Sequence, residues 1–305
     1  MRNARRCLLV LGLASLASAC SLRRLAVNSL ADSLAGSAVT FAREDDPELA
    51  RAALPFAMKT IEGVLIGDPE NETLLAAASG AFGLYAYAFV QVDAERIEAV
   101  DYARGTAMKA RALGLYLRAR DYALRGLELR HAGIGAALRT DPVAAAALLG
   151  EADVELAYWA GGTWGLAISL AKDDPALVAD VDAVRALLRR ALELDEDYGE
   201  GALHEALIPI EGLSRLMGGS EERAREHYRR ALELSGGRRA SVHLKVAENL
   251  SIPAQDRAEF ERMLALVMAV DLDAAPDQRL SNRISRIRAR DLLDRIDDLF
   301  LPPLE

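Results

Sequence analysis

The chain of 305 residues holds two cysteines, Cys7 and Cys20, both near its start. Beyond Cys20 there is no thiol, so the body can form no disulfide framework and no cysteine-ligated metal site. Lysine is almost as scarce: Lys59, Lys109, Lys172 and Lys245 are the only ones, and arginine supplies the remaining basic side chains. There is no basic run and the net charge is −9, which argues against a nucleic-acid partner. His131, His204, His227 and His243 are widely spaced and form no HExxH pattern, and no P-loop, GxGxxG or nucleophile elbow occurs. These absences argue against an enzyme, a metal site or a bound cofactor. Aromatic residues are 5% of the chain and β-branched alternation is nearly missing, which removes the usual signature of a sheet core. After residue 19 no run approaches 18 consecutive apolar residues, so the rest of the chain is not expected to enter a membrane.

What the chain does have begins at its N-terminus. Arg2-Asn3-Ala4-Arg5-Arg6 leads into CLLVLGLASLASAC, which ends at Cys20. A basic head, an apolar run and small residues before a cysteine make a secretory signal with a lipoprotein cleavage box. Ala17, Ser18 and Ala19 let a signal peptidase approach the backbone, and Cys20 is the lipid-attachment candidate. The position three before the cysteine is Ala17, where Leu is usual, with Leu16 one place further back. The same residues also read as an ordinary secretory signal cut after Ala19. The apolar run Cys7–Ala19 spans 13 residues, short of the ~20 that cross a bilayer. Ser21 rather than Asp follows Cys20, which favours the periplasmic face of the outer membrane. Removing residues 1–19 takes away three arginines and leaves 286 residues at a net charge of −12. The expected organisation is a signal over 1–19, a lipid-anchored helical stalk over 20–45 carrying Leu22, Leu25, Leu30 and Leu34, and a helical domain over 46–305.

That domain reads as all-α. Segments rich in Ala, Leu, Arg and Glu dominate. In DAVRALLRRALELDED, Val184, Leu187, Leu188, Ala191, Leu192 and Leu194 fall close to the helical period, with Arg185, Arg189, Arg190 and Glu193 largely opposite. The pairs Asp46-Pro47, Asp68-Pro69, Asp141-Pro142 and Asp174-Pro175 each predict a helix start, because Asp suits the N-cap and Pro the first turn. Gly218-Gly219-Ser220 and Gly236-Gly237 predict tight turns. The last helix, Arg283 to Asp298, alternates charge sign and reads as a solvated closing helix.

A repeat lies beneath the helices. RRALEL occurs at 189–194 and again at 229–234, with the degenerate LRGLEL at 124–129. Residues 205–238 match one 34-residue tetratricopeptide unit through Ile208, Gly212, Ala224, Tyr228 and Ala231. Leu75, Ala78, Ser79 and Phe82 fall in equivalent slots, as do Gly161 and Trp164. Small residues there let paired helices cross closely. Pro209 falls inside one expected helix and predicts a kink. A coiled coil or a generic bundle would produce similar patterns, so the fold class is all-α with an irregular tetratricopeptide-like repeat as the specific expectation.

The recognition candidates are aromatic and polar. Tyr85, Tyr87 and Phe89 alternate, so on a regular helix they spread over ~200° and at least one faces a groove, a neighbour or solvent. Trp159 and Trp164, with Tyr158, form the richest aromatic site, which reads either as core or as a binding surface. Lys172, Asp173 and Asp174 are a helix end with the next cap, or a polar lip at a pore. Tyr198, Gly199 and Gly201 lead into His204 and Glu205, at the edge of a possible groove. Adjacent on a helix, His204 and Glu205 point ~100° apart and cannot face one metal together.

The strings SLAGSAVTFAREDDPELARAALPFAMKTIEGVL, DPENETLLAAASGAFGLYAYAFVQ, YWAGGTWGLAISLAKDDPALVADV, GALHE and RARDLLDRIDDLF, in this order along nearly the whole mature chain, resemble one known family. It is the T component of tripartite ATP-independent periplasmic (TRAP) transporters, the TatT-like lipoproteins. The resemblance implies an irregular tetratricopeptide-like fold and a homotrimer. It further implies a partner, the periplasmic solute-binding protein of the transporter, and the handling of a hydrophobic solute. A carrier or chaperone for lipid-like ligands, working without a transporter, would use the same features.

Overall fold

The computed structural model describes Ala31 and residues 33–302; the signal segment, Cys20 and the start of the expected stalk lie outside the described residues. Helices and turns account for the described chain, with no strand among the described residues. In order the helices are α1 (Ser33–Ala42), α2 (Pro47–Gly67), α3 (Glu72–Tyr85), α4 (Val92–Glu98), α5 (Tyr102–Arg130), α6 (Ile134–Thr140) and α7 (Pro142–Ala146). After them come α8 (Val154–Leu170), α9 (Pro175–Val178), α10 (Val181–Leu194), α11 (Ala202–Glu211) and α12 (Glu221–Ser235). The last four are α13 (Ala240–Val246), α14 (Arg257–Ala269), α15 (Arg279–Asp294) and α16 (Ile296–Leu299). Two π-helical turns interrupt this series, Ala86–Gln91 between α3 and α4 and Ala247–Ser251 after α13.

Local capping chemistry explains where most helices begin. Asp46 accepts from the backbone N–H of Glu48 (2.9 Å) and Leu49 (3.2 Å), with Pro47 at the first position of α2. Asp141 starts α7 and Asp174 starts α9 in the same way. Asp68-Pro69 does not follow the expectation. Asp68 ends α2, and Asn71 caps α3 by accepting from Leu74 N (3.1 Å), while its amide donates to the Asp68 carboxylate (3.0 Å). Asn71 rather than Asp68 therefore takes the cap of α3. At the expected turns Gly218, Gly236 and Gly237 all have positive φ, and Ser220 caps α12. Pro209 sits in the last turn of α11, with Gly212 as its C-cap.

The most extensive helix packing is of α3 on α5, α5 on α8, α8 on α10 and α11 on α12. The largest core gathers side chains from α5 to α11 around Trp164, which has no solvent exposure. Small residues allow the close crossings. A Cβ at Gly161 would lie 2.8 Å from Leu188 Cγ, so α8 and α10 approach more closely than any larger residue permits. Leu75, Ala78, Ser79, Phe82, Ile208, Ala224 and Ala231 are all buried. The run Glu72–Glu98 is long and apolar enough to cross a membrane, yet 61% of its most apolar window is buried inside the protein, as in the core helix of a globular body. Ala31, Leu34 and Phe41, from the segment read as a stalk, pack on this body too.

The closing helix departs from its sequence reading. α15 is not solvated all round: Leu280, Asn282, Ile284, Arg288, Ala289 and Leu292 are buried. Leu280 and Ile284 join Leu54, Met58 and Phe89, so the C-terminal end of the chain packs on α2 and the first π turn. Asn282 also caps α13, accepting from Ala240 N and donating to Arg238 O, both at 2.9 Å. Exposed ion pairs Arg283–Asp45 (2.7 Å) and Arg96–Asp291 (2.7 Å) tie the same two regions together.

Candidate functional site

The meeting of α15 with the first π turn brings a polar cluster together inside the helical body. π-helical turns are uncommon and concentrate at functional sites. Here both of them contribute: Tyr87 and Gln91 come from the first and Glu248 from the second, with Lys245 one turn before it. Arg288 of α15 pairs with Glu95 (3.1 Å) and with Glu248. Gln91 donates to Glu95 (2.8 Å) and accepts from the Tyr116 hydroxyl (2.6 Å). The Lys245 ammonium sits 4.7 Å from the centre of the Tyr87 ring and 3.5 Å from its hydroxyl, and the Arg288 guanidinium lies 5.5 Å from the same ring.

Burial and charge oppose each other throughout this cluster. Burial raises the Glu95 carboxyl, but Arg288 and the Gln91 amide outweigh it and hold Glu95 below the ordinary carboxylate range. Burial disfavours the Lys245 ammonium, and the neighbouring Tyr87, Glu248 and Glu205 more than restore it. Burial pushes the Tyr116 phenol far upward, so it stays a neutral donor to Gln91.

A second group continues from the first. Arg239 donates to Glu205 (2.9 and 3.0 Å), each side chain being 11% exposed. Tyr158 feels the charges of Arg239, Glu205 and Lys245, and its ring lies 5.2 Å from Tyr198 and 5.0 Å from Trp159. Burial raises the Tyr198 hydroxyl well above its usual value. Tyr87, Tyr158, Trp159, Tyr198 and Lys245 are all half-buried, so each keeps one side open to solvent or a ligand.

The candidates read from sequence therefore divide. Tyr87, Trp159, Tyr198 and Glu205 lie along this connected line. Tyr85 is half-buried beside it, with Arg111 over its ring at 5.8 Å. The aromatic stripe 85–89 runs into a π turn rather than a regular helix, and Phe89 turns wholly inward against Leu54 and Met58. Trp164 is core, flanked by the guanidiniums of Arg120 (5.0 Å) and Arg139 (5.3 Å). Lys172, Asp173 and Asp174 are exposed, and Asp174 serves as the cap of α9. His204 makes an interhelix bond, its Nδ1 2.8 Å from Nδ1 of His227, while its Nε2 lies 3.2 Å from Glu196.

Sequence reasoning missed Lys245, Arg288, Glu95, Glu248 and His227. Only Lys245 carried a signal, the scarcity of lysine that drew notice to Lys172. Elsewhere, Gly212, Leu213, Arg215, Arg225, Asn249 and Leu250 line an open cleft of about 810 Å³ of mixed polar and apolar surface. Among the described residues no group of three or more His, Cys, Asp or Glu side chains is placed to hold a metal.

The chain is thus an all-helical body whose C-terminal helix α15 packs back on α2, with aromatic and charged side chains converging inside it. The family model for the TRAP transporter T-component matches residues 43–300, and the chain belongs to that family. It is also 29% identical, over 94% of both chains, to an uncharacterized protein of Treponema pallidum (strain Nichols). Membership associates the chain with a TRAP transport system and with a periplasmic or membrane-associated location. A transport accessory family points to a non-enzymatic role.

Proposed function

We propose that this protein is a lipid-anchored periplasmic accessory component of a TRAP-type transport system. In this reading it is a homotrimer of irregular tetratricopeptide-like helix pairs that docks the solute-binding protein of the system and handles a hydrophobic solute. The family match over residues 43–300 carries the reading. The half-buried aromatic line through Tyr87, Tyr158 and Tyr198 supports the solute, because such rings offer apolar area beside a polar edge. Cys20 holds the body at the periplasmic face of the outer membrane.

A pull-down with the full chain from a periplasmic extract of the source cell is expected to recover the solute-binding protein. Its absence, together with lipid released from the purified protein and identified by mass spectrometry, would favour a carrier independent of a transporter. Cys20→Ser is expected to move the protein out of the membrane fraction with its helical signal unchanged. A mutant that still pellets with membrane at high salt overturns the anchor. Light scattering that returns a mass other than three chains overturns the trimer.

A further inference from the structure

The polar cluster at the two π turns contains donors with nothing to bind. Arg288 has a side chain 9% exposed, and its Nε and Nη2 are taken by Glu248 and Glu95. Its Nη1 is buried without a hydrogen-bond partner. Such an orphan is expensive in a folded protein and implies an acceptor that is missing from the chain itself. Lys245 lies against the same Tyr87 ring, 4.7 Å from its centre, with the Arg288 guanidinium at 5.5 Å. Among the described residues no carboxylate lies within ion-pair distance of Lys245; its one hydrogen bond, to Tyr87 Oη, is long at 3.5 Å. Two cations with spare N–H groups thus share one aromatic ring, and both Lys245 and Tyr87 are half-buried rather than enclosed.

The surroundings select what the acceptor is. Tyr85, Leu113, Leu117, Leu166 and Leu170 are half-buried apolar side chains packed on the same small core as Tyr87. A ligand body laid there is apolar. Glu95 and Glu248 already balance the two cations, so a second negative charge on the ligand would be repelled, and a cationic head would meet Lys245 directly. A single carboxylate supplies two acceptor oxygens at the smallest charge that still attracts Lys245 and Arg288.

We propose that Lys245 and the free Nη1 of Arg288 bind the carboxylate head of a singly charged amphiphile whose apolar body lies on the leucines around Tyr87. The site rests on the hydrophobic-solute reading above and adds its head group. Tyr87 positions Lys245 through its ring and hydroxyl, and the π turn aims Tyr87.

Titration calorimetry on the full chain tests the site with four probes of equal chain length: octanoate, octanol, octyl phosphate and octylamine. Octanoate is expected to bind roughly tenfold more tightly than the other three, the difference that charge-assisted hydrogen bonds make. Lys245→Met, which breaks no ion pair, is expected to bring octanoate down to the affinity of octanol with the fold intact by circular dichroism. Lys245→Arg keeps the preference. Equal binding of octanoate and octanol by the native protein, or a preference that survives Lys245→Met, overturns the carboxylate site while leaving the hydrophobic-solute reading standing. Binding of none of the four overturns both.

Discussion

At the crossing of α8 with α10, Gly161 lies against Leu188 and Trp164 has no solvent exposure; where α10, α11 and α12 meet, an equally buried group is a carboxylate. Glu211 has no exposed side-chain surface, and it accepts from Arg189 (2.7 Å) and from Arg223 (2.6 and 2.7 Å), with Arg185 at 4.0 Å. Burial raises its carboxyl, but Arg223 and Arg189 outweigh that and hold it below the ordinary range. The two junctions do different jobs. Apolar burial contributes about 25 cal/mol per Å² whatever its direction, so the Trp164 core favours compactness. A buried ion pair gains little net free energy but demands geometry, so Glu211 specifies which helices meet.

The strongest test of that contrast is Trp164→Ala, expected to lower unfolding free energy by about 3–5 kcal/mol in guanidinium titration, since it leaves a large cavity under two arginines. Glu211→Gln is expected to lower it by only about 1–3 kcal/mol, because Arg189 and Arg223 are 44% and 47% exposed and can turn to water. Equal losses for the two variants would show that the ionic junction stabilises as much as the core.

A pH scan sharpens the comparison with a third buried contact, the His204–His227 pair. Burial and then the neighbouring His204 bring His227 down to about 4, and burial also lowers His204. Neutral rings can share one proton between facing Nδ1 atoms; two charged rings cannot. The unfolded histidines bind protons below about 6.5, so this contribution is fully present above that pH and is lost as pH falls toward 4. Arg230 holds Glu196 down to about 2, so Glu196 stays ionised across this window. The melting temperature is expected to fall by a few degrees between pH 6.5 and 4.5, and His227→Gln to flatten that slope. An unchanged slope would remove the pair from the account. The smallest effect belongs to the exposed pair Arg43–Asp277 (2.5 Å), where Arg43→Ala is expected to leave the unfolding midpoint unmoved.

Much of this was legible in the chain. Asp46, Asp141 and Asp174 reveal their helix starts because a cap and the N–H groups it serves lie within three residues. The slots of Gly161, Leu75, Ala224 and Ala231 were legible because a close crossing demands small or apolar residues at helical spacing. Asp68 misled because two cap candidates, Asp68 and Asn71, stand three residues apart and only packing chooses between them. α15 misled because its arginines look solvent-facing in sequence, whereas Arg288 points inward to two glutamates. Tyr85–Phe89 was legible as an aromatic stripe but not as a π turn, which depends on a single backbone register.

The amino-acid order alone determined an all-helical chain, most of its helix starts and its membership in the T-component family, since periodicity, capping and family strings act over a few residues at a time. Only the tertiary structure decided that Lys245 stands beside Tyr87, 158 residues away, and that Arg288 reaches Glu95 across 193. Those contacts depend on how the two ends of the helical body close on each other, and a side chain that finds its partner at such a distance leaves no local trace.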